Sequence, residues 1–316
     1  NMEELIKEAE NTFRENYKSK TWFERCVFLN WPSKNELDKE DFFQQIKTDS
    51  KLIKRSISSI LAEIYLCKKL GWRLEYLTTS PDTYSFEELF EIVRKVSNLY
   101  DKKIWINFGV LSASDLDTLR PYIKGVFANL ETVNKGIQRR IQPNNSIKKY
   151  IEMLSEARGI KKGIIINLGL GETTEDISLL HSFIETHYID RVDFHLTLPT
   201  KGISYKTLDS SYYARWIAET RLKFPKIKIV AGTWIDRVAE VGLLLKAGAN
   251  SITKFPAINL FNSEQAKIIE EEAKVAGRKF LGTLTDLSYL KDIKIEEDIK
   301  KELQIYLKVM KQVKYQ

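Results

Sequence analysis

From Gly163 to Asp176 the chain reads Gly-Ile-Ile-Ile-Asn-Leu-Gly-Leu-Gly-Glu-Thr-Thr-Glu-Asp. The apolar run at its start has no polar face, so it suits a strand covered on both sides, as in a parallel sheet. It ends at Asn167, Gly169 and Gly171, and acidic residues suited to the first turn of a helix follow at once. Glycines at such a turn let backbone come close to a ligand. The first helical turn is expected to offer free N–H groups. A strand that turns directly into a helix is the repeating unit of α/β folds, and in a barrel this edge carries the working residues.

The same unit recurs along the chain. Strands are expected at Cys26–Asn30, Arg73–Thr79, Lys103–Gly109, Gly125–Leu130, Gly163–Leu168, Arg191–Leu198, Lys226–Ala231 and Asn250–Phe255. Helical periodicity follows them at Ile53–Leu70, Ser85–Asn98, Ala113–Arg120, Asn145–Arg158, Thr173–Thr186, Ser210–Phe224 and Asp236–Ala247. Repeats of about 25–35 residues suit parallel strands joined by crossover helices. Eight of them predict a (β/α)8 barrel, an α/β fold of TIM type. The barrel is expected over about residues 22–258, within a single domain spanning 1–316. It is preceded by a helix at Met2–Tyr17. A C-terminal extension carries a helix at Ser263–Ala276, a strand-like Arg278–Leu284 and an amphipathic helix at Ile295–Val313.

Strand C-termini line the site in such a barrel. Read off in order, they are Thr78 and Thr79, Asn107, Asn129 and Glu131, Asn167 and Gly169, His195 and Thr197, Thr233 and Trp234, and Lys254. This rim bonds hydrogen well and titrates little, which suits holding a polar cofactor and a small-molecule substrate better than acid–base hydrolysis. Glu131 is placed to hold ribose hydroxyls. His195 is the only histidine on a strand, whereas His181 and His187 are expected at the surface and do not form a metal site with it. Lys254 is the one candidate for a Schiff-base lysine, which would make the chain an aldolase-like barrel. No phosphate-loop, nucleophile-elbow or HExxH string occurs.

Net charge is +7, but Lys and Glu alternate and no basic run is interleaved with aromatics. That pattern predicts a solvated surface, of a kind common in thermophiles, rather than a nucleic-acid or membrane partner. No apolar run is long enough to span a bilayer and no signal peptide is evident, so the chain is expected to be cytoplasmic. Cys26 and Cys67 are its only cysteines.

Several segments resemble one family. Asn129-Leu130-Glu131-Thr132, Asn167 to Glu172, Leu198-Pro199-Thr200-Lys201-Gly202, Ala231-Gly232-Thr233 and Lys246 to Ile252 are similar, in order and spacing, to the barrel of the biotin-synthase-like radical S-adenosylmethionine (SAM) enzymes. Phe23 to Trp31, Ser59 to Glu63 and Leu70-Gly71-Trp72 resemble, within that group, the enzymes that build the [Fe]-hydrogenase (guanylylpyridinol) cofactor. Archaeal-type lipoyl synthase and biotin synthase are the neighbouring branches. The resemblance implies a [4Fe–4S] cluster, SAM, an external electron donor and cleavage of SAM to a 5′-deoxyadenosyl radical. It implies cofactor contacts at Thr78, Asn107, Asn129, Glu131, Lys149, Asn167, Gly169 and Glu172. Substrate contacts would come from His195, Thr197, Lys201, Thr233, Trp234 and Arg237. No metal ligand is assigned. The family binds its cluster with three cysteines spaced CxxxCxxC, or more widely, after the first strand. Here the chain runs Trp31-Pro32-Ser33-Lys34-Asn35, and Thr78-Thr79-Ser80-Pro81 stands where the family has a Gly-Gly-Glu-like segment. Either a cysteine-bearing stretch after Trp31 is missing from this sequence, or the barrel binds a small molecule without a cluster. The retained polar rim favours the former.

Overall fold

The structure is a computed structural model that describes residues 1–31, 53–141, 147–197 and 208–312. Among the described residues the strands are β1 (Lys20–Phe28), β2 (Asn30–Trp31), β3 (Ile53–Lys54), β4 (Arg73–Thr78), β5 (Ile104–Asn107), β6 (Ile123–Glu131), β7 (Lys161–Leu168), β8 (Arg191–Leu196), β9 (Lys228–Gly232), β10 (Ser251–Thr253) and β11 (Lys279–Leu281). Parallel pairing runs from β1 through β4, β5, β6, β7, β8 and β9 to β10. The ring closes where β10 returns to β1, with Phe23 opposite Ile252 and Glu24 opposite Thr253. The expected eight-stranded parallel barrel is therefore the observed fold. Closure leaves the barrel no open edge between β10 and β1.

Crossover helices pack their apolar faces on the outside of the ring. The helix Phe86–Tyr100 starts at Ser85, whose hydroxyl and the Glu88 carboxylate form a reciprocal capping box. The helix Glu264–Val275 starts at Ser263 in the same way that its sequence suggests. The N-terminal helix Met2–Asn16 lies against the helix Ser210–Lys223, and the C-terminal helix Glu297–Met310 against Ile57–Leu70. β11 adds to the N-terminal end of β1, pairing Lys20 to Trp22 with Lys279 to Leu281. Among the described residues no helix is long and apolar enough to cross a membrane.

Several expected boundaries move. The first strand begins at Lys20, not Cys26, because Thr21, Phe23 and Glu24 are buried within the barrel wall although two of them are polar. Ile53 and Lys54 form β3, antiparallel to β2, and the helix starts only at Ile57 behind the Ser56 cap. β6 is longer than Gly125–Leu130, and β10 is shorter than Asn250–Phe255. The expected helix starts at Thr173 and Asp236 are 3-10 turns (Thr174–Asp176 and Ile235–Glu240) that lead into α-helices Ile177–His187 and Val241–Lys246. A short helix at Lys135–Ile141 was not signalled by periodicity. His181 is half-buried, with Nε2 3.3 Å from the Thr220 hydroxyl, instead of at the surface. Lys201 lies outside the described residues.

Aromatic side chains fill the middle of the barrel. Trp105, Phe127 and Tyr76 cluster with Cys26 and Ile165; the ring centroids of Trp105 and Phe127 are 5.0 Å apart, and those of Tyr76 and Phe127 5.1 Å apart. Gly125 and Gly163 on β6 and β7 make room for these rings. A Cβ at Gly125 would lie 2.3 Å from the Trp105 ring. Gly125→Ala is therefore expected to cost about 1–3 kcal/mol through overpacking, read as a lowered urea midpoint with an unchanged slope. An unchanged midpoint would mean the Trp105 ring has space to retreat.

Candidate functional site

Charged side chains form a buried lattice through the lumen of the barrel. On the N-terminal side the Arg73 guanidinium sits 3.4 Å from the centroid of the Trp22 ring. Glu24 of β1 accepts from Lys228 Nζ at 2.9 Å and from Arg191 Nη1 at 3.4 Å, and the Ser251 hydroxyl donates to it. Arg191 is fully buried and bidentate on Asp193, with Nε to Oδ1 at 2.6 Å and Nη2 to Oδ2 at 2.8 Å. Its guanidinium also lies over Trp105 and Phe127, 5.0 and 4.9 Å from their centroids. Asp193 in turn bonds Glu75. Glu75 accepts from His195 Nε2 at 3.1 Å and from Lys254 Nζ at 2.8 Å, and Lys254 also donates to the Tyr76 hydroxyl at 2.9 Å.

Strand geometry explains how these groups meet. Arg191, Asp193 and His195 alternate along β8 and so share one face. Glu75 and Tyr76 are adjacent on β4, where strict alternation would send them to opposite sides. The pairing of β1 with β4 skips Glu75, because Arg25 faces Leu74 and Cys26 faces Tyr76. This irregularity lets both side chains reach Lys254. Lys254 follows β10 in a left-handed conformation at φ 69°. Such a conformation in a non-glycine residue is held by its surroundings, and it places the ammonium under the strand ends.

Electrostatics follow from burial and pairing. Burial pushes the Glu24 carboxyl up, but the Arg191 and Lys228 charges with the Ser251 hydroxyl outweigh it and bring it to about 2. Burial pushes Asp193 up to about 7 against the pull of Arg191, and the neighbouring Glu75 adds to the push. His195 is held well below the ordinary histidine value by burial and by the Lys254 charge, so its ring is neutral near pH 7. Burial also raises the Cys26 thiol to about 12, with the nearby Glu75 adding to that rise. Lys254 is kept charged, because Cys26 and Glu75 more than offset its burial. A charged lysine engaged by both Glu75 and Tyr76 is poorly set up as a Schiff-base nucleophile, which weighs against the aldolase reading of Lys254. Glu75, Asp193 and His195 present ligand atoms within 4.8 Å of one another. The Arg191 guanidinium on Asp193 and the Lys254 ammonium on Glu75 oppose a further cation there, so the cluster suits proton handling.

The rim residues fall into two groups. At the ends of β6, β8 and β9, Asn129 Oδ1, Thr197 Oγ1 and Thr233 Oγ1 are buried with no hydrogen-bond partner among the described residues. Such atoms cost about 1–3 kcal/mol unless something pairs with them. Glu131 is left-handed at φ 61° and accepts from the Asn167 amide. The second group is already engaged. The Thr78 hydroxyl donates to the Asn107 carbonyl at 3.0 Å and ties β4 to β5. The Glu172 carboxylate accepts from the N–H groups of Gly169 and Leu170, each at 2.8 Å, and from the Tyr212 hydroxyl at 3.2 Å. Asp176 takes the N–H of Thr173 at 3.0 Å. The amides expected to be free at this turn are thus satisfied by side chains of the same loop. Arg237 is spent on Glu240, at 2.7 and 2.6 Å, and on the Leu208 carbonyl at 2.8 Å. Trp234 is half-buried beside Thr233, and Lys149 is exposed on the helix Ile147–Glu156.

Sequence reasoning named His195 and Lys254 and missed Glu24, Glu75, Arg191, Asp193 and Lys228. A signal for part of this existed. Charged residues at alternating positions of Arg191–Leu196, within an otherwise apolar barrel strand, announce a polar lumen.

The fold and this lumen define a class, the (β/α)8 barrels with a polar mouth at the strand C-termini. Methylornithine synthase (PylB) superimposes with a TM-score of 0.71 over 88% of either chain, at 20% identity. The FeFe-hydrogenase maturase HydG from Carboxydothermus hydrogenoformans superimposes with a TM-score of 0.68 over 97% of this chain and 81% of its own, at 13% identity. At these identities the likeness is one of fold. No family model matches the chain. In sequence, it is 34% identical to the uncharacterized protein MJ0597 of Methanocaldococcus jannaschii over 330 aligned positions, 99% of this chain and 90% of that protein. The chain belongs to the family of that protein. A second relative from the same organism, the uncharacterized protein MJ0785, is 23% identical over 72% of this chain and 60% of its own length.

Two measurements test the lattice. Arg191→Met leaves Asp193 and Glu24 without their main counter-charge and is expected to cost about 3–5 kcal/mol in denaturant unfolding. Glu24, with its pKa lowered in the fold, contributes stability above the ordinary glutamate range and loses it as pH falls from about 4.5 to about 2. Wild-type protein should accordingly lose its advantage over Glu24→Gln across that acid range; a constant difference would show that Glu24 is not ionised by its partners.

Proposed function

We propose that this protein is an enzyme of radical SAM type, and that it binds SAM across the C-terminal ends of β6 to β9. The observation that carries the reading is the set of buried, unpartnered polar atoms at Asn129, Thr197 and Thr233, beside the strained Glu131, on a barrel of the shape shared with methylornithine synthase and HydG. Both of those neighbours are radical SAM enzymes. Within the type, the segments Phe23 to Trp31 and Ser59 to Glu63 support a role in building the [Fe]-hydrogenase pyridinol cofactor. A small-molecule substrate would lie beside SAM, near His195, Thr197 and Thr233, and electrons would come from an external donor. This placement shelters the reaction inside the lumen.

The residues of this sequence do not fit a [4Fe–4S] cluster. Only Cys26 and Cys67 are available, both are buried, and burial raises both thiols, so neither is a thiolate. The alignment with MJ0597 is longer than this 316-residue chain, so that relative carries residues with no counterpart here. We place the cluster cysteines in such a stretch, after Trp31. A cluster-free barrel that binds a polar small molecule is the second reading, favoured by the same two cysteines.

Peptide mapping of the natural chain across Trp31 and Ile53 separates the two, since a cysteine-bearing peptide is expected there and its absence leaves the cluster-free reading. SAM binding by titration calorimetry tests the rim. Glu131→Ala is expected to weaken it about 10- to 100-fold, the worth of a hydrogen bond to a charged group. Equal affinity in the variant, or no SAM binding by the intact chain, would overturn the placement.

A further inference from the structure

Among the described residues, His195 near the end of β8 has a single hydrogen-bond partner. Its Nε2 bonds the Glu75 carboxylate at 3.1 Å, and Nδ1 makes no hydrogen bond with the described residues. A carboxylate oxygen accepts, so the ring proton lies on Nε2 and Nδ1 carries a free lone pair. Glu75 lies three residues short of the end of β4, and His195 one residue short of the end of β8. The lattice therefore reaches the ring from the deeper side of the lumen. The unpartnered hydroxyl of Thr197, two residues on from His195, and that of Thr233 lie on the mouth side. Gly232 separates His195 from Lys254; a Cβ there would come 3.4 Å from the His195 Cα and 3.5 Å from the Lys254 Cγ.

We propose that His195, oriented by Glu75, presents Nδ1 to the barrel mouth as the base that accepts a proton from a substrate O–H or N–H. The proton would move from that group to Nδ1, leaving an imidazolium paired with Glu75, and the electron pair of the broken bond stays on the substrate heteroatom. Lys254, itself bonded to the Tyr76 hydroxyl, holds Glu75 in place from its other oxygen, and Arg191 holds Asp193 beside it. The substrate class is thus a small molecule with a hydroxyl, amine or amide proton to lose. The identity of the cofactor beside it rests on the radical SAM reading, whereas the state of the ring does not.

The ring is readable directly by nitrogen NMR of the full chain labelled with 15N-histidine, with His195→Gln assigning its signals among three histidines. The charged and titrating groups around it are Glu75 and Tyr76 on β4, Asp193 and Arg191 on β8, Cys26 on β1 and Lys254 beyond β10. The expected spectrum shows a neutral ring with the proton on Nε2 at pH 7, and one still neutral at the ordinary histidine value near 6.5. Glu75→Gln replaces an acceptor by an amide that both accepts and donates, so the Nδ1–H form should appear in that variant. Diethyl pyrocarbonate, which acylates proton-free imidazole nitrogen, should modify His195 in the native protein, as located by peptide mass. A ring protonated at pH 7, a proton on Nδ1 in the wild type, a spectrum unchanged by Glu75→Gln, or a His195 that reacts only after unfolding would each overturn the proposal. SAM binding can fail while these results stand, so the two ideas are separable.

Discussion

Arg191 is the interaction on which the rest of the lumen depends. A guanidinium without solvent contact needs counter-charge and hydrogen-bond acceptors, and Asp193 and Glu24 supply both. The same guanidinium lies over Trp105 and Phe127, which fixes the aromatic layer above the N-terminal end of the barrel. Three strands distant in sequence, β1, β8 and β9, are thereby tied through side chains inside a wall that backbone pairing alone would hold. An apolar plug of equal volume would serve stability as well or better. The charges instead carry a bonded path from Glu24 on the N-terminal side to His195 at the strand ends.

That path sets protonation by position. Glu24 at the lower end sits between two cations and stays ionised to about pH 2. Asp193 faces one cation and one carboxylate, and burial holds its carboxyl above the ordinary aspartate range. His195 at the upper end is buried beside a charged lysine and stays neutral. Groups whose surroundings push their pKa values apart are how one site runs acid and base steps together. An ammonium at Lys254 and a neutral imidazole at His195 share Glu75 as their common acceptor, so a proton gained by the ring meets a carboxylate already in contact with it.

The barrel was legible in sequence because its signal is local. Strand-forming runs recur at a regular spacing, and each is bounded by a cap such as Ser85 or Ser263 or by a glycine turn such as Gly169. The rim residues followed from strand ends alone, and Asn129, Thr197 and Thr233 stand there with polar atoms unpaired among the described residues. What stayed hidden depends on partners remote in sequence. Arg237 reads as a free cation until Glu240 and the Leu208 carbonyl are seen to take it. Glu172 reads as a ligand-facing acid until its carboxylate is found closing its own loop. Glu75 reads as facing away from Tyr76, because a one-residue irregularity between β1 and β4 leaves no mark in the pattern of one strand.

The join between β1 and the helix Ile57–Leu70 is anchored at both of its described ends. Trp31 and Ile53 pair as the last rung of an antiparallel stem, and the Arg55 guanidinium lies 4.1 Å from the centroid of the Trp31 ring. Arg55 also reaches the Phe28 carbonyl at 2.7 Å, Glu63 at 3.0 Å and the Tyr306 hydroxyl at 2.5 Å, while Arg25 bonds the other oxygen of Glu63 at 2.9 Å. The stem is thus clamped to β1, to the following helix and to the C-terminal helix by buried charge pairs. With both ends fixed, extra residues between them add only the entropy of a longer loop, about 0.6 kcal/mol per doubling. The clamp thus fixes the two described ends of the stem to the barrel wall, whatever chain joins them.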